Sequence, residues 1–183
     1  MNSQQTYERL LPIIAAMDKS ITCQSMVDNA DGTYTFQCNR TKWTRKGYVI
    51  TILGEDYKVT NVVYNTSITL SGSVVPIVLT FDLYAPKFKH GTMRVVAAEL
   101  TAIKDPKQRL PLIWLKETVG ERLHFDPIDS VENDAEAQLF FLTDANFANW
   151  KQTDGDTLAI APMRSMVSEF IRVLSDNQYT APL

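Results

Sequence analysis

The stretch LPLIWLKETVGE, Leu110 to Glu121, decides how the rest of the chain is read. Its apolar run, with Trp114 inside, falls well short of the roughly 20 residues a membrane helix needs and is too apolar for a loop. It passes into charge at Lys116 and Glu117 without a residue suited to catalysis. It reads as a core strand of a small α+β unit. Pro111 belongs at the strand's first position or on an edge, since proline brings no N–H to a ladder.

The flanking segments fit that reading. Upstream, Met93, Val96, Ala97, Leu100 and Ile103 keep the three-and-four spacing of one helix face, with Thr92 as cap and Asp105-Pro106 as stop. Downstream, a loop carrying Asp126, Asp129, Glu132 and Asp134 precedes AEAQLFFL, Ala135 to Leu142, expected as a strand buried on both faces near its end. Met163, Met166, Val167, Phe170, Ile171 and Leu174 predict a closing helix, with Pro162 in its first turn. At the other end, Tyr7, Leu10, Leu11, Ile14 and Met17 predict an amphipathic helix from about Ser3 to Asp18. Pro12 should kink that helix or restart it, because an interior proline costs about 3 kcal/mol.

From Ser20 the apolar period changes to two. Ile21, Cys23, Ser25 and Val27 lead into the turn DNADGT, and Tyr34, Phe36 and Cys38 follow, which predicts a hairpin. A register with Val27 opposite Tyr34 makes Cys23 and Cys38 cross-strand neighbours. A disulfide is geometrically conceivable there, but in a cytoplasm the pair reads as two reduced, buried thiols. Further strands are expected at YVITIL, YKVTNVVY, SITLSG and VVPIVLTFDLY, rich in the residue types that suit a pleated, half-buried surface.

The fold class is therefore α+β: a small sheet flanked by helices, with an inserted antiparallel β-rich module. The expected division is a helix at 1–19 joining the C-terminal domain, the β-rich module at 20–84, and an α+β domain at 85–183.

Composition narrows the function classes. With 45% apolar and 21% charged residues the chain is neither a disordered nor a membrane type. A net charge of −3 argues against a dedicated nucleic-acid binder, which usually shows a basic excess. The first residues lack the basic leader and apolar core of a signal peptide, so folding in a cytoplasm is expected.

Chemistry-bearing motifs are sparse. His90 and His124 are the only histidines, and neither adjoins a nucleophile motif. The run Asp126 to Glu136 lacks the spacing and glycine of a calcium loop, and no phosphate-cradling glycine motif occurs. The expectation is no catalytic residue, no metal and no cofactor. A hydrolase using His90 or His124 with a carboxylate is the last alternative. Arg40, Lys42, Arg45 and Lys46 around Trp43 form the one basic and aromatic cluster. They are candidate nucleic-acid contacts if Trp43 stacks bases, or else a charged strand edge that discourages pairing. Phe81, Tyr84 and Phe88, on what reads as a long loop, are candidate partner anchors, as are Phe147 and Trp150 between Thr143 and Asp156.

The succession FKHGTMRVVAAEL, LPLIWLKETVGE, AEAQLFFLTDANFANW and APMRSMVSEFIRVL, spanning roughly His90 to Leu174, resembles small neck and tail-completion proteins of tailed bacteriophages, tail-terminator-like proteins among them. The resemblance is one of element order. It implies a virion structural protein, a neck, head-tail connector or tail-completion subunit. Such a subunit assembles as a ring in the host cytoplasm from copies of itself and meets adjoining neck, tail or portal-proximal proteins, with passing DNA as a further contact and no membrane. It implies no catalytic residue. The module at Ser20 to Tyr84 departs from a minimal member and reads as an insertion.

Overall fold

The computed structural model describes residues 3–103, 110–116, 120–125, 131–143, 155 and 159–178. In chain order the elements begin with α1 (Ser3–Ala15), β1 (Ser20–Thr22), β2 (Ser25–Asp28), β3 (Thr33–Gln37) and β4 (Val49–Ile52). They continue with β5 (Glu55–Val63), β6 (Ser67–Ser71), β7 (Thr80–Asp82), β8 (Lys87–Gly91) and α2 (Met93–Ala102). The last are β9 (Leu112–Lys116), β10 (Gly120–Phe125), β11 (Val131–Glu136), β12 (Leu139–Leu142) and α3 (Ala161–Gln178). The fold is α+β with a β-rich module.

Two compact units divide the chain: Met1–Ala16 with Pro86–Leu142, and Met17–Ala85 with Thr143–Leu183. The expected 85–183 domain thus differs from the observed division in its last helix, since α3 belongs to the unit that holds the β-rich module.

In the first unit the opening stretch is the central strand. β9 pairs in parallel with β8 and antiparallel with β12, and Leu112, Ile113 and Leu115 are fully buried. Pro111 precedes the strand and its carbonyl accepts the Lys87 N–H at 3.0 Å, so the residue without a donor sits where only an acceptor is needed. α2 connects the parallel pair. The Thr92 hydroxyl caps it by accepting the Val95 N–H, and Val96 packs with Leu112 and Trp114. The Trp114 indole donates to the Gly91 carbonyl at 2.9 Å and its ring stacks on Phe140 at 4.9 Å.

β9 pairs with β12, Leu112 opposite Leu142, and β10 with β11, Gly120 opposite Glu136, as two antiparallel ladders whose registers differ by two. Glu132 and Asp134, expected in a loop, lie in β11; Asp126 and Asp129 fall outside the described residues. AEAQLFFL was expected to be buried on both faces, but Phe140 and Leu142 are exposed because β12 is an edge strand. α1 runs unbroken through Pro12, whose carbonyl accepts the Ala16 N–H at 3.0 Å. Leu10, Ile13 and Ile14 are its buried face, while Leu11 is exposed.

The second unit is a small barrel-like ring of strands. β2, β3, β6, β5 and β4 make one antiparallel sheet, β1 pairs with β7, and β7 lies beside β4. Inward residues alternate along β3, β4, β5 and β6, where Tyr34 and Phe36, Ile50 and Ile52, Tyr57 and Val59, and Ile68 and Leu70 are buried, and β1 and β7 add Ile21 and Phe81. Phe36 meets Phe81 edge-on at 5.4 Å. The hairpin at DNADGT forms as expected, with Ala30 and Gly32 at φ 60° and 77°. Its register is one residue away from the expected one, for Val27 faces Thr35. A bulge restores the parity: the Gln24 N–H donates to the Gln37 carbonyl at 2.7 Å, while Ser25 is the ladder partner of Gln37. Cys23 and Cys38 are consequently neighbours, both buried and without a disulfide between them.

Of the expected strand VVPIVLTFDLY only its later part pairs: β7 faces β1, the Leu79 carbonyl accepts the Cys23 N–H at 2.7 Å and the Leu83 N–H donates to the Lys19 carbonyl at 2.9 Å. Pro76 interrupts the ladder donors, and Val74, Val75, Ile77 and Leu79 are left exposed.

Candidate functional site

Near the end of β3, Arg40 to Lys46 fold into a compact turn, with the Thr44 N–H on the Thr41 carbonyl at 3.0 Å. Trp43 is 2% exposed and its indole donates to the Tyr84 carbonyl at 3.1 Å. It is therefore a core residue, and the alternative in which it stacks bases is corrected: an indole facing inward presents no face to a nucleotide. Burying Trp43 turns its neighbours to different sides. Arg45 lies over the Tyr48 ring at 5.3 Å, where burial pushes the Tyr48 hydroxyl well up from its ordinary value. Lys46 is exposed.

Lys42 takes the left-handed conformation, φ 47°, costly for a residue with a Cβ by roughly 1–2 kcal/mol. The turn then carries its stem inward, so that the residue is 8% exposed. Its ammonium donates to the Asp18 carbonyl at 2.7 Å and pairs with Asp18 Oδ2 at 2.8 Å. The hydrogen bond from Lys42 holds the Asp18 carboxyl below its usual range, and the Ser20 N–H adds to this. Beside Lys42, Thr41 and Asn65 exchange two hydrogen bonds. Asn65 Oδ1 accepts the Thr41 N–H at 3.3 Å, and the Thr41 hydroxyl accepts the Asn65 N–H at 3.0 Å.

α3 supplies the facing wall. Pro162, Met166, Phe170 and Val173 recur at helical spacing and are buried, while Ser165, Ser168, Glu169 and Arg172 form a polar stripe next to them. Glu169 Oε1 accepts the Asp18 N–H at 2.8 Å. Arg172 reaches both oxygens of Glu169, at 2.7 and 3.1 Å, and holds Asp176 at 2.8 Å. The guanidinium keeps the Glu169 carboxyl below its usual range. Turn and stripe enclose a pocket of about 270 Å³ lined by Arg40, Lys42, Tyr64, Asn65, Ser165, Ser168, Glu169 and Arg172.

No family model, curated protein or solved structure matches the chain. The site is therefore read from its own geometry. Of the five basic-cluster residues, the structure brings Arg40 and Lys42 to the pocket and sends Trp43, Arg45 and Lys46 elsewhere. Tyr64, Asn65, Ser165, Ser168, Glu169 and Arg172 join them without having been singled out from sequence. The three-and-four spacing of Ser165, Ser168, Glu169 and Arg172 was visible, but such a stripe reads equally as a solvated helix face.

The expected partner anchors separate as well. Phe81 is buried in the ring of strands and offers nothing to a partner. Tyr84 is 51% exposed, its hydroxyl 2.9 Å from that of Thr51. Phe88 lies in β8, not in a long loop, and stacks on Tyr7 at 4.8 Å. Phe147 and Trp150 lie outside the described residues. His90 tilts over the Tyr7 ring at 5.5 Å, and its buried Nε2 has no hydrogen-bond partner among the described residues. His124 is in β10, with its side chain outside the described residues. Among the described residues no group of three His, Cys, Asp or Glu comes together, and no helix is long and apolar enough to cross a membrane.

Proposed function

We propose that this chain is a self-assembling structural subunit of a tailed-bacteriophage neck or tail, working by docking to copies of itself and not by catalysis. One observation carries the reading: the two-stranded ribbon of β10 with β11 pairs with no other strand among the described residues. A two-stranded ribbon alone is marginal in water, so a ribbon of this length gains by lying against a neighbour. The three-stranded sheet has an open edge at β12, where Phe140 and Leu142 are exposed, and an edge of that kind accepts a further strand. Ribbon and edge are unlike surfaces. Their contact is heterologous and, repeated through a closing rotation, makes a ring.

The element order from His90 to Leu174 that resembles tail-completion proteins directs this assembly to the virion, built in the host cytoplasm. Its neighbours are then the adjoining neck, tail or portal-proximal proteins, with DNA passing through the ring.

Native mass spectrometry of the full chain tests this. A single closed oligomer is expected, and a variant with residues 121–135 replaced by Asn-Gly, a tight hairpin turn, should be a monomer whose circular dichroism otherwise persists. A full chain that stays monomeric at micromolar concentration, or an oligomer untouched by the replacement, refutes the proposal.

A further inference from the structure

The pocket between the Arg40–Lys42 turn and α3 has no part in that assembly and stands on different residues. Lys42 and Arg172 already face carboxylates, Asp18 for the first and Glu169 and Asp176 for the second. Both oxygens of Glu169 are likewise engaged. Arg40 is the exception: it lines the pocket and meets no carboxylate among the described residues. The hydroxyls of Tyr64, Ser165 and Ser168 line the same space with no hydrogen-bond partner among the described residues. The Asn65 side chain uses only its oxygen, on the Thr41 N–H, which leaves its amide N–H groups for a ligand.

Four neutral donor groups around one uncompensated guanidinium are more than a flat carboxylate with two oxygens would use. They suit a tetrahedral oxyanion, whose oxygens accept from several directions. Lys42 on Asp18, and Glu169 on the Asp18 N–H, tie the turn and the helix together beside the pocket. We infer that this pocket binds a phosphate group, with Arg40 as the charged contact and Ser165, Ser168, Tyr64 and Asn65 as neutral donors. The same group is offered by a free phosphate ester and by a nucleic-acid backbone. The volume of about 270 Å³ leaves room for the group that carries the phosphate.

The test uses the full chain at constant ionic strength. Isothermal titration with inorganic phosphate should give saturable binding. Arg40→Ala, at an exposed position that folding does not need, should weaken it about tenfold or more, as expected for loss of a charge-assisted hydrogen bond. Ser168→Ala should weaken it less. Lys46→Ala removes an exposed cation of the same basic stretch that does not line the pocket, and should leave binding unchanged. A parallel anisotropy titration with a short single-stranded oligonucleotide separates the sources. Tighter binding of the oligonucleotide, lost in Arg40→Ala, assigns the phosphate to a nucleic-acid backbone; tighter inorganic phosphate assigns it to a small ester. No saturable binding of either probe overturns the inference. So does equal loss in Arg40→Ala and Lys46→Ala, which would mark diffuse surface charge.

Discussion

Glu169→Gln tests whether the lock between α3 and the start of the strand ring is electrostatic. Glu169 accepts three hydrogen bonds, one from the Asp18 N–H and two from Arg172. Glutamine keeps one acceptor oxygen for the Asp18 N–H, but its amide nitrogen cannot accept from Arg172 Nε, and the charge is gone. The Asp18 bond falls from a charge-assisted bond of about 1.5–3 kcal/mol to a neutral one of about 0.5–1.5. The Arg172 pair, with a guanidinium 52% exposed, contributes only about 0.2–1 kcal/mol. Together they predict about 1–2 kcal/mol lost near neutral pH, a melting shift of about 3–6 °C for a chain of this size.

The pH dependence gives the sharper test. Arg172 holds the Glu169 carboxyl below its ordinary 4.5. Its contribution is therefore complete above that value and is lost as the pH falls through the lowered one. Glutamine does not titrate. In urea unfolding followed by circular dichroism, the gap between wild type and Glu169→Gln should be full at neutral pH and close in acid. The Asp18 carboxyl, held low chiefly by Lys42, titrates in both proteins and enters the difference only through the smaller effect of Arg172 on it. A gap that persists unchanged through the acid range, or that is absent at neutral pH, refutes an electrostatic lock.

Other expectations follow from the second unit. Phe36→Ala, at a side chain with no exposure that meets Phe81 edge-on, should lose about 3–5 kcal/mol, whereas Val27→Ala on exposed β2 should change stability by less than about 0.5 kcal/mol; chemical denaturation reads both. Gly72→Ala places a methyl group into the Tyr57 ring, which is 2% exposed and cannot swing away, so a loss of about 1–3 kcal/mol is expected in the same assay. The hydrogen bond to Cys38, with burial behind it, pushes the Cys23 thiol well above its ordinary value. Because both thiols are buried, Ellman's reagent should leave both cysteines unmodified in the native chain and label both after unfolding, while rapid native labelling would contradict their burial.

Local periodicity carried much of the fold. Leu112 to Leu115 is a core strand, Thr92 caps a helix, DNADGT turns a hairpin, and Cys23 meets Cys38. These features depend on neighbours a few residues apart, whose apolar spacing and turn chemistry are written locally. Even there the meeting of the cysteines relied on a bulge at Gln24 that alternation cannot show. Burial of Trp43 was not legible, because an aromatic among basic residues looks the same whether its indole finds a carbonyl inside, here that of Tyr84, or faces solvent.

What the sequence by itself determined is which faces are apolar and where the chain turns. Which faces meet was decided only by tertiary structure. α3 shows a clear apolar stripe, yet nothing in it tells that it joins the unit of the strand ring, or that Ser165 and Ser168 come to face Arg40. The physical reason is that burial rewards any apolar surface roughly in proportion to area and without direction. The choice among partners rests on long-range contacts such as the Asp18 N–H on Glu169, across 151 positions of sequence.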